Sequence, residues 1–405
     1  MKVLHLSTYD VSGGAAIAAY RLHKALQNRG IDSRMLVARK QSEDDSVRVW
    51  PCKQASLGRF QRWISERQRR RFRNRLAPIP AHAYFNGCRS SYRFSDVADE
   101  IHACDVIHLH WVANFLDWPE TLPQLAAAKP LVWTLHDHFP LSGIWHYPPD
   151  GPVSGGLHRF NQQVFEEKLQ AATQIPTHRL RVVSPSNELH TAALKSSVLG
   201  RFRNDCIFHA VDTNVFRPVE QRTAREALNL PVDATIVAFL ADNLREPRKG
   251  SQLLVEALPK AGHRIDLLLT AGKGSPLQTG IPSVHLGPLR NERLLAMFYS
   301  AADLFICPST QEAFGLTALE SLACGTPVVG FRVGGIPDLV DSGETGLVIE
   351  TPTASALATE LTELLGSRQH LSEMRTKSRS RILENFCICQ HAHVMQKLYQ
   401  DVAGA

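Results

Sequence analysis

Short apolar and β-branched runs alternate with segments of helical period along this chain, and the alternation halts and restarts about halfway. In the first half KVLHLST (2–8) reads as a strand. Ala15 to Arg29 reads as a helix closed by Gly30, with Ala15, Ala18, Ala19, Leu22, Ala25 and Leu26 on one face. SRMLVA, DVIHLHW (105–111), LVWTLHD (131–137) and RLRVVSPS follow as strands, with a helix around 160–172. The rhythm resumes near Ala234 with ATIVAFLAD, a helix from Ser251 to Lys260, and IDLLLTAG. Helix Glu292–Ala302, strand DLFICPS, helix Leu316–Ala323 and strand PVVGFRV complete it. Strands separated by helices pair in parallel, in a sheet covered on both faces, so two α/β, Rossmann-like domains are expected. Such sheets bind ligands beyond the carboxyl ends of their strands.

A length of 405 residues fits two cores of roughly 200 residues each. VDTNVFRP, with Pro218, suits the connection, which places the domains at 1–215 and 216–384. The last segment, Met374 to Val402, reads as a helix interrupted near Asn385 to Cys389. Its periodicity leaves open which half it packs on.

With 44% hydrophobic and 21% charged residues the chain falls in the soluble globular class, which argues against extended disorder. Cys52, Cys88, Cys104, Cys206, Cys307, Cys324, Cys387 and Cys389 form neither a CxxC pair nor a zinc-like spacing, which suits a reducing compartment. MKVLHLSTYDVSGG lacks the apolar centre of a signal peptide, and no apolar run approaches the roughly 18 residues of a membrane span. The expectation is a cytoplasmic protein, peripheral at most on the inner face of the plasma membrane. Arg59 to Arg75 holds eight arginines against one acid, Glu66. Such a run can meet an anionic membrane surface through Phe60, Trp63, Ile64 and Phe72, and it equally reads as a solvated or paired helix face.

The chemistry concentrates after strand DLFICPS. PSTQEAFGLTALE (308–320) runs from a strand end through a loop with Gly315 into a helix opening at Leu316 and Thr317. The first-turn amides of a helix lack intrahelical acceptors and carry its positive pole, which makes a seat for a diphosphate. Glu320 lies one turn in, with its side chain tilted back toward that seat, and Glu312 approaches from the loop. Two carboxylates beside a phosphate seat suit sugar and ribose hydroxyls; the plainer reading is a helix-terminus charge and a solvated glutamate. REPRKG (245–250) supplies cations at the carboxyl end of the restart strand, where a leaving diphosphate needs them.

EAFGLTALE with SLACGTPVVGFRVGGIPDLV, and EPRKG upstream, resembles the large group-one (family four) type of retaining glycosyltransferases with the GT-B fold, two Rossmann-like domains facing across an interdomain cleft. The SGG, HxH, TLHD and VDTNVFRP segments extend the resemblance over most of the chain, which resembles glycosyltransferases of the exopolysaccharide and colanic-acid type. The resemblance implies that Glu312 contacts donor-sugar hydroxyls, that Glu320 takes the ribose, and that Phe314 and Gly315, with Leu316 and Thr317 at the helix start, line the donor. It also implies that Lys249 and Arg248 hold the diphosphate. Asn243 stands where the family often has an arginine, a role that Arg245 could take over. The last helix, 385–405, would cross back to the first domain. The several cysteines that some relatives carry soon after TLHD are absent from HFPLSGIWHYPPDG.

In the first half Ser12-Gly13-Gly14 opens a helix after the first strand, a tight turn or an anion-facing loop. It lacks the full GxGxxG spacing. In the resembling family Gly13 and Gly14 lie over the donor phosphates or near the acceptor. His108 and His110 share one side of a strand, a pattern more often packed and hydrogen-bonded than metal-binding. The histidine matching His136 in TLHD points at the family's reaction centre.

No Asp-x-Asp triplet occurs, so no metal or other cofactor is expected. The expected reaction is front-face transfer with retention from a nucleotide-sugar donor to a glycan or lipid-linked acceptor, in cell-surface polysaccharide biosynthesis. His136, Glu312 and Lys249 would be catalytic, and nucleic acid is not an expected partner. The competing readings are a GT-B epimerase or phosphorylase and a non-catalytic nucleotide-sugar or nucleic-acid binding protein.

Overall fold

The computed structural model describes residues 1–52, 76, 84–149 and 151–404. The arginine run Arg59 to Arg75, with the membrane contact read from it, lies outside the described residues. The chain divides into two compact units. One comprises Met1–Pro185, Leu189–Ile207 and Ala392–Ala405; the other comprises Ser186–Glu188 and Phe208–His391.

The first unit is built on seven parallel strands: β1 (Lys2–Tyr9), β2 (Asp32–Arg39), β3 (Val47–Val49), β4 (Val106–Leu109), β5 (Leu131–Thr134), β6 (Leu180–Ser184) and β7 (Arg203–Cys206). Their order is β3-β2-β1-β4-β5-β6-β7. One face of β1 and β4 carries Leu4, Leu6, Ile107 and Leu109 into a core shared with Trp118, Leu122, Leu125 and Trp133. The opposite face is polar yet equally closed, for His5, Ser7 and His108 are wholly buried. That face is covered by helix Gly14–Asn28 and by the end of helix Ile388–Gly404, whose Tyr399 hydroxyl lies 2.7 Å from His108 Nδ1. Most buried polar groups are hydrogen-bonded, and His108 is engaged through both ring nitrogens, whereas Ser7 Oγ and His5 Nε2 are buried with no hydrogen-bond partner.

The second unit repeats the plan with six parallel strands: β8 (Ile236–Asn243), β9 (Leu267–Lys273), β10 (Ser283–His285), β11 (Leu304–Cys307), β12 (Val328–Phe331) and β13 (Gly346–Ile349). Their order is β10-β9-β8-β11-β12-β13. Counted from β8 this is the 3-2-1-4-5-6 order of the doubly wound fold, with chain direction across the sheet reversing between β8 and β11. In the first sheet the reversal falls between β1 and β4. β8, β11 and β12 are apolar on both faces, feeding one core of Ile236, Ala238, Phe305 and Val328 and another of Val237, Phe239, Leu304 and Val329.

β4 and β5 are shorter than the apolar runs that announce them. β4 ends at Leu109 and β5 at Thr134, so His110 and His136 sit just past their carboxyl ends. The helix expected from Ser251 to Lys260 is α-helical only to Ala257 and tightens to 3-10 geometry from Leu258, beside Pro259. Phe386 and Cys387 break the terminal segment into helices Arg368–Asn385 and Ile388–Gly404. Among the described residues no helix is long and apolar enough to cross a membrane.

Candidate active site

The carboxyl ends of β8 and β11 meet at the reversal point of the second sheet. After β8 the chain turns through Pro247–Lys249, and Gly250 at φ 71° starts helix Ser251–Ala257. A Cβ on Gly250 would stand 1.7 Å from the Pro308 carbonyl oxygen, so only glycine lets this turn abut the exit of β11. The two loops are stitched together there. Thr310 N–H donates to the Arg248 carbonyl at 2.8 Å, and the Arg248 guanidinium reaches the Gln311 carbonyl at 3.4 Å.

This stitching puts Lys249 against Glu312. The ammonium donates to Glu312 Oε2, with the two side chains 20% and 10% exposed, and Ser309 Oγ adds a contact at 3.4 Å. Burial raises the Glu312 pKa, but Lys249 and then Arg248 outweigh it and hold the carboxyl below its ordinary value. Behind Glu312, a Cβ on Gly334 would fall 1.9 Å from the Glu312 carbonyl oxygen, and one on Gly335 would fall 2.7 Å from that of Phe314. The glycine pair in FRVGG therefore seats the loop.

Gly315, at φ 105°, caps helix Leu316–Ala323. Leu316 and Thr317 open that helix half-buried, and the Leu319 N–H is the first to bond back, to the Gly315 carbonyl at 3.0 Å. The amides before it are left to face the loop side. Phe314 is buried, packed edge-on against His209 at 5.3 Å between ring centres. Glu320 is buried too and accepts the Tyr299 hydroxyl at 2.8 Å. Arg245 points elsewhere. Its N–H donates to Asn243 Oδ1 at 3.0 Å and its guanidinium lies 3.4 Å from Ser275 Oγ. Asn243 thus acts as a turn former.

In the first unit Gly13 (φ 85°) and Gly14 are exposed at the start of helix Gly14–Asn28, with nothing within 4 Å of a Cβ placed on Gly13. Asp10, just before them, is buried and accepts backbone N–H groups from Val11, Gln41 and Ser42 at 2.8–3.0 Å. This ties the end of β1 to the loop after β2. His136 is half-buried, its Nε2 3.2 Å from His110 Nδ1; burial, only partly offset by Asp137, pushes its pKa down to about 4. Asp137 accepts from Trp111 Nε1 at 2.7 Å and pairs with His146 Nδ1 at 2.6 Å.

Ring nitrogens of His5, His108 and His110 lie within 4.8 Å of one another. They are engaged as hydrogen-bond partners. His5 Nδ1 and His110 Nε2 are 2.9 Å apart, closer than the roughly 3.3 Å between two nitrogens on one tetrahedral zinc. His108 Nε2 is 2.7 Å from Thr134 Oγ1.

Tyr299, Ser309, Gly334, Asp10 and His5 were not singled out by the sequence pattern. Only Gly334 left a signal, the glycine pair after an apolar strand.

Residues 234–367 match the family described as "Glycosyl transferases group 1". The second unit is related to these enzymes. The D-inositol 3-phosphate glycosyltransferase of Mycobacterium tuberculosis is 32% identical over 64% of this chain and 54% of its own length, so the chain spans about half the length of that relative. Two solved structures share the fold throughout. Sucrose-phosphate synthase of Thermosynechococcus elongatus superposes with a TM-score of 0.67 at 20% identity, covering 99% of both chains. The Anabaena protein HepE in complex with UDP-glucose gives 0.66 at 17% identity, again over 99% of both. The two Rossmann-like units therefore correspond to the GT-B fold.

Proposed function

We propose that this protein is a glycosyltransferase that moves a sugar, with retention and without a metal ion, from a nucleotide-sugar donor to a glycan or lipid-linked acceptor. The observation that carries the reading is the Lys249–Glu312 pair at the reversal point of the second sheet, beside the opening turn of helix Leu316–Ala323. A cation, a carboxylate and a set of helix-start amides at the carboxyl ends of two central strands match the three demands of a nucleotide sugar: a diphosphate to neutralise, hydroxyls to hold, and an anionic leaving group to stabilise. The UDP-glucose complex of the Anabaena protein supports the donor class.

In this reading Lys249 and Arg248 take the diphosphate and Glu312 exchanges part of its contact with Lys249 for sugar hydroxyls. Glu320, held by Tyr299, meets the ribose, and His136 serves the reaction centre. The departing diphosphate oxygen takes the acceptor proton, so the glycosidic bond to the donor phosphate breaks as the new one forms on the same face. The acceptor belongs to cell-surface polysaccharide assembly, and the work is done on the cytoplasmic side of the membrane. Calorimetry with UDP, GDP and ADP tests the donor seat. One nucleotide should bind to the native chain and about a hundredfold more weakly to Lys249→Ala; equal binding to both overturns the seat. An NMR assay that shows an inverted anomeric product overturns retention.

A further inference from the structure

Three imidazoles form a hydrogen-bonded row on the polar face of the first sheet. His5 Nδ1 lies 2.9 Å from His110 Nε2, and His110 Nδ1 lies 3.2 Å from His136 Nε2. β1 and β4 set the row in register: His5 is paired with His108 across the sheet, and Leu6 with Leu109, so His110 follows directly at the strand exit. His5 is 0% and His110 3% exposed, while His136 ends the row half-buried. Burial keeps the two end rings neutral, pushing His5 well below its ordinary value and His136 down to about 4.

A neutral imidazole has one N–H and one lone pair. The row therefore has two self-consistent arrangements, every proton pointing from His5 toward His136 or every proton pointing back. The buried end decides between them. His5 Nε2 is buried and has no hydrogen-bond partner. In the outward arrangement that atom is a bare lone pair; in the inward one it is an N–H. A buried donor without a partner is the rarer and costlier orphan.

We infer that His5 is a positioning residue which, through His110, fixes the proton of His136 on Nδ1. Neutral His136 then has no lone pair to offer a substrate, because its Nε2 accepts from His110. It meets a sugar hydroxyl or phosphate oxygen as a hydrogen-bond donor and does not act as a base. His108 does not divert the row, since its nitrogens are engaged by Tyr399 and Thr134 at 2.7 Å each. The consequence for catalysis rests on the transferase reading; the proton arrangement does not.

Nitrogen-15 NMR of the full chain labelled at histidine, near neutral pH, reads the row without substrate or variant. His136 should show a protonated Nδ1 and a lone pair on Nε2, and the opposite assignment overturns the inference. His5→Asn keeps an N–H donor where Nδ1 stood, whereas His5→Asp, read at a pH where its new carboxyl is ionised, leaves only an acceptor there and should reverse the row. His5→Asp should therefore move the His136 proton to Nε2 and lower kcat on the order of a hundredfold with little change in the donor KM. His5→Asn should retain both the native assignment and most of the native rate. If His5→Asp leaves the His136 assignment and kcat unchanged, His5 does not position His136. If the native chain turns over no nucleotide sugar, the transferase reading fails and the spectrum still decides the row.

Discussion

Lys249 closes on Glu312 across the seam between β8 and β11, and each side chain is mostly shielded from water. Lys249 ends the single 3-10 turn Pro247–Lys249, and Glu312 comes from the loop after β11. The turn and the loop touch because Gly250 has no side chain to keep them apart, and Gly334 lets a third segment close in behind Glu312.

The glycines should therefore be as sensitive as the charges. Gly250→Ala adds a carbon 1.7 Å from the Pro308 carbonyl oxygen, at a φ of 71° that is itself strained for alanine. A loss of more than about 2 kcal/mol is expected in urea unfolding. Gly334→Ala, pressing on the Glu312 carbonyl, should lower kcat even at temperatures where the variant is fully folded.

Tyr299→Phe removes one hydroxyl and nothing else. That hydroxyl bonds the buried carboxylate of Glu320 at 2.8 Å. Hydrogen bonds to charged groups are worth about 1.5–3 kcal/mol, so the variant should lose stability in that range. Its donor KM should rise with kcat nearly preserved, since Glu320 is assigned to the ribose. A fall in kcat at constant KM would contradict the assignment.

Much of this fold was legible in the sequence because parallel strands buried on both faces read as continuous apolar runs. IVAFLADN, LFIC and VVGF announce β8, β11 and β12 in that way. The strands the pattern missed lie away from the sheet centres. β7 is RNDC, polar but for Cys206, β3 and β10 are three residues each, too short to show a period, and β13 is the four-residue edge strand GLVI. Of the site, the loop PSTQEAFG and the turn EPRKG stood out by their charges and glycines, but the contact between Lys249 and Glu312 is set by strand order, which no local pattern encodes. His5 was hidden for the same reason. Within KVLHLST it is one more residue of a strand, and only the pairing of β1 with β4 brings it to His110.

Lys168 gives a structural prediction in the first unit. Its Nζ is wholly buried, donates to the carbonyls of Phe139 and Gly143 at 2.5 and 2.6 Å, and lies 3.2 Å from the centre of the Phe139 ring. It thereby fastens the turn that follows Asp137. Lys168→Met keeps the length and removes the donor, leaving buried carbonyls unsatisfied. A loss of about 3 kcal/mol or more is expected by denaturant unfolding.

His23 sets a pH dependence of known sign. It is wholly buried between Ser33 Oγ at 2.7 Å and Ser46 Oγ at 2.9 Å. Burial lowers its pKa from 6.5 to about 4, against the pull of Asp44 and with a smaller contribution from Lys24. The unfolded chain therefore takes up a proton at this residue before the folded chain does. The contribution is complete above about pH 6.5 and is lost as pH falls to about 4, at most about 3 kcal/mol over that window. His23→Gln, which can bond both hydroxyls but cannot titrate, should show a shallower decline of unfolding free energy with falling pH than the native chain. Parallel declines would place the acid sensitivity elsewhere.

The most direct test of the donor site is turnover. Purified native protein and its Glu312→Ala variant would be incubated side by side with UDP-, GDP- and ADP-sugars, and released nucleoside diphosphate measured. Release from one donor class by the native chain, reduced about a hundredfold or more in the variant, is the expected result. Equal release by both proteins, or none from any donor by the native chain, would contradict the assignment of Glu312 and Lys249 as the seat of a nucleotide sugar.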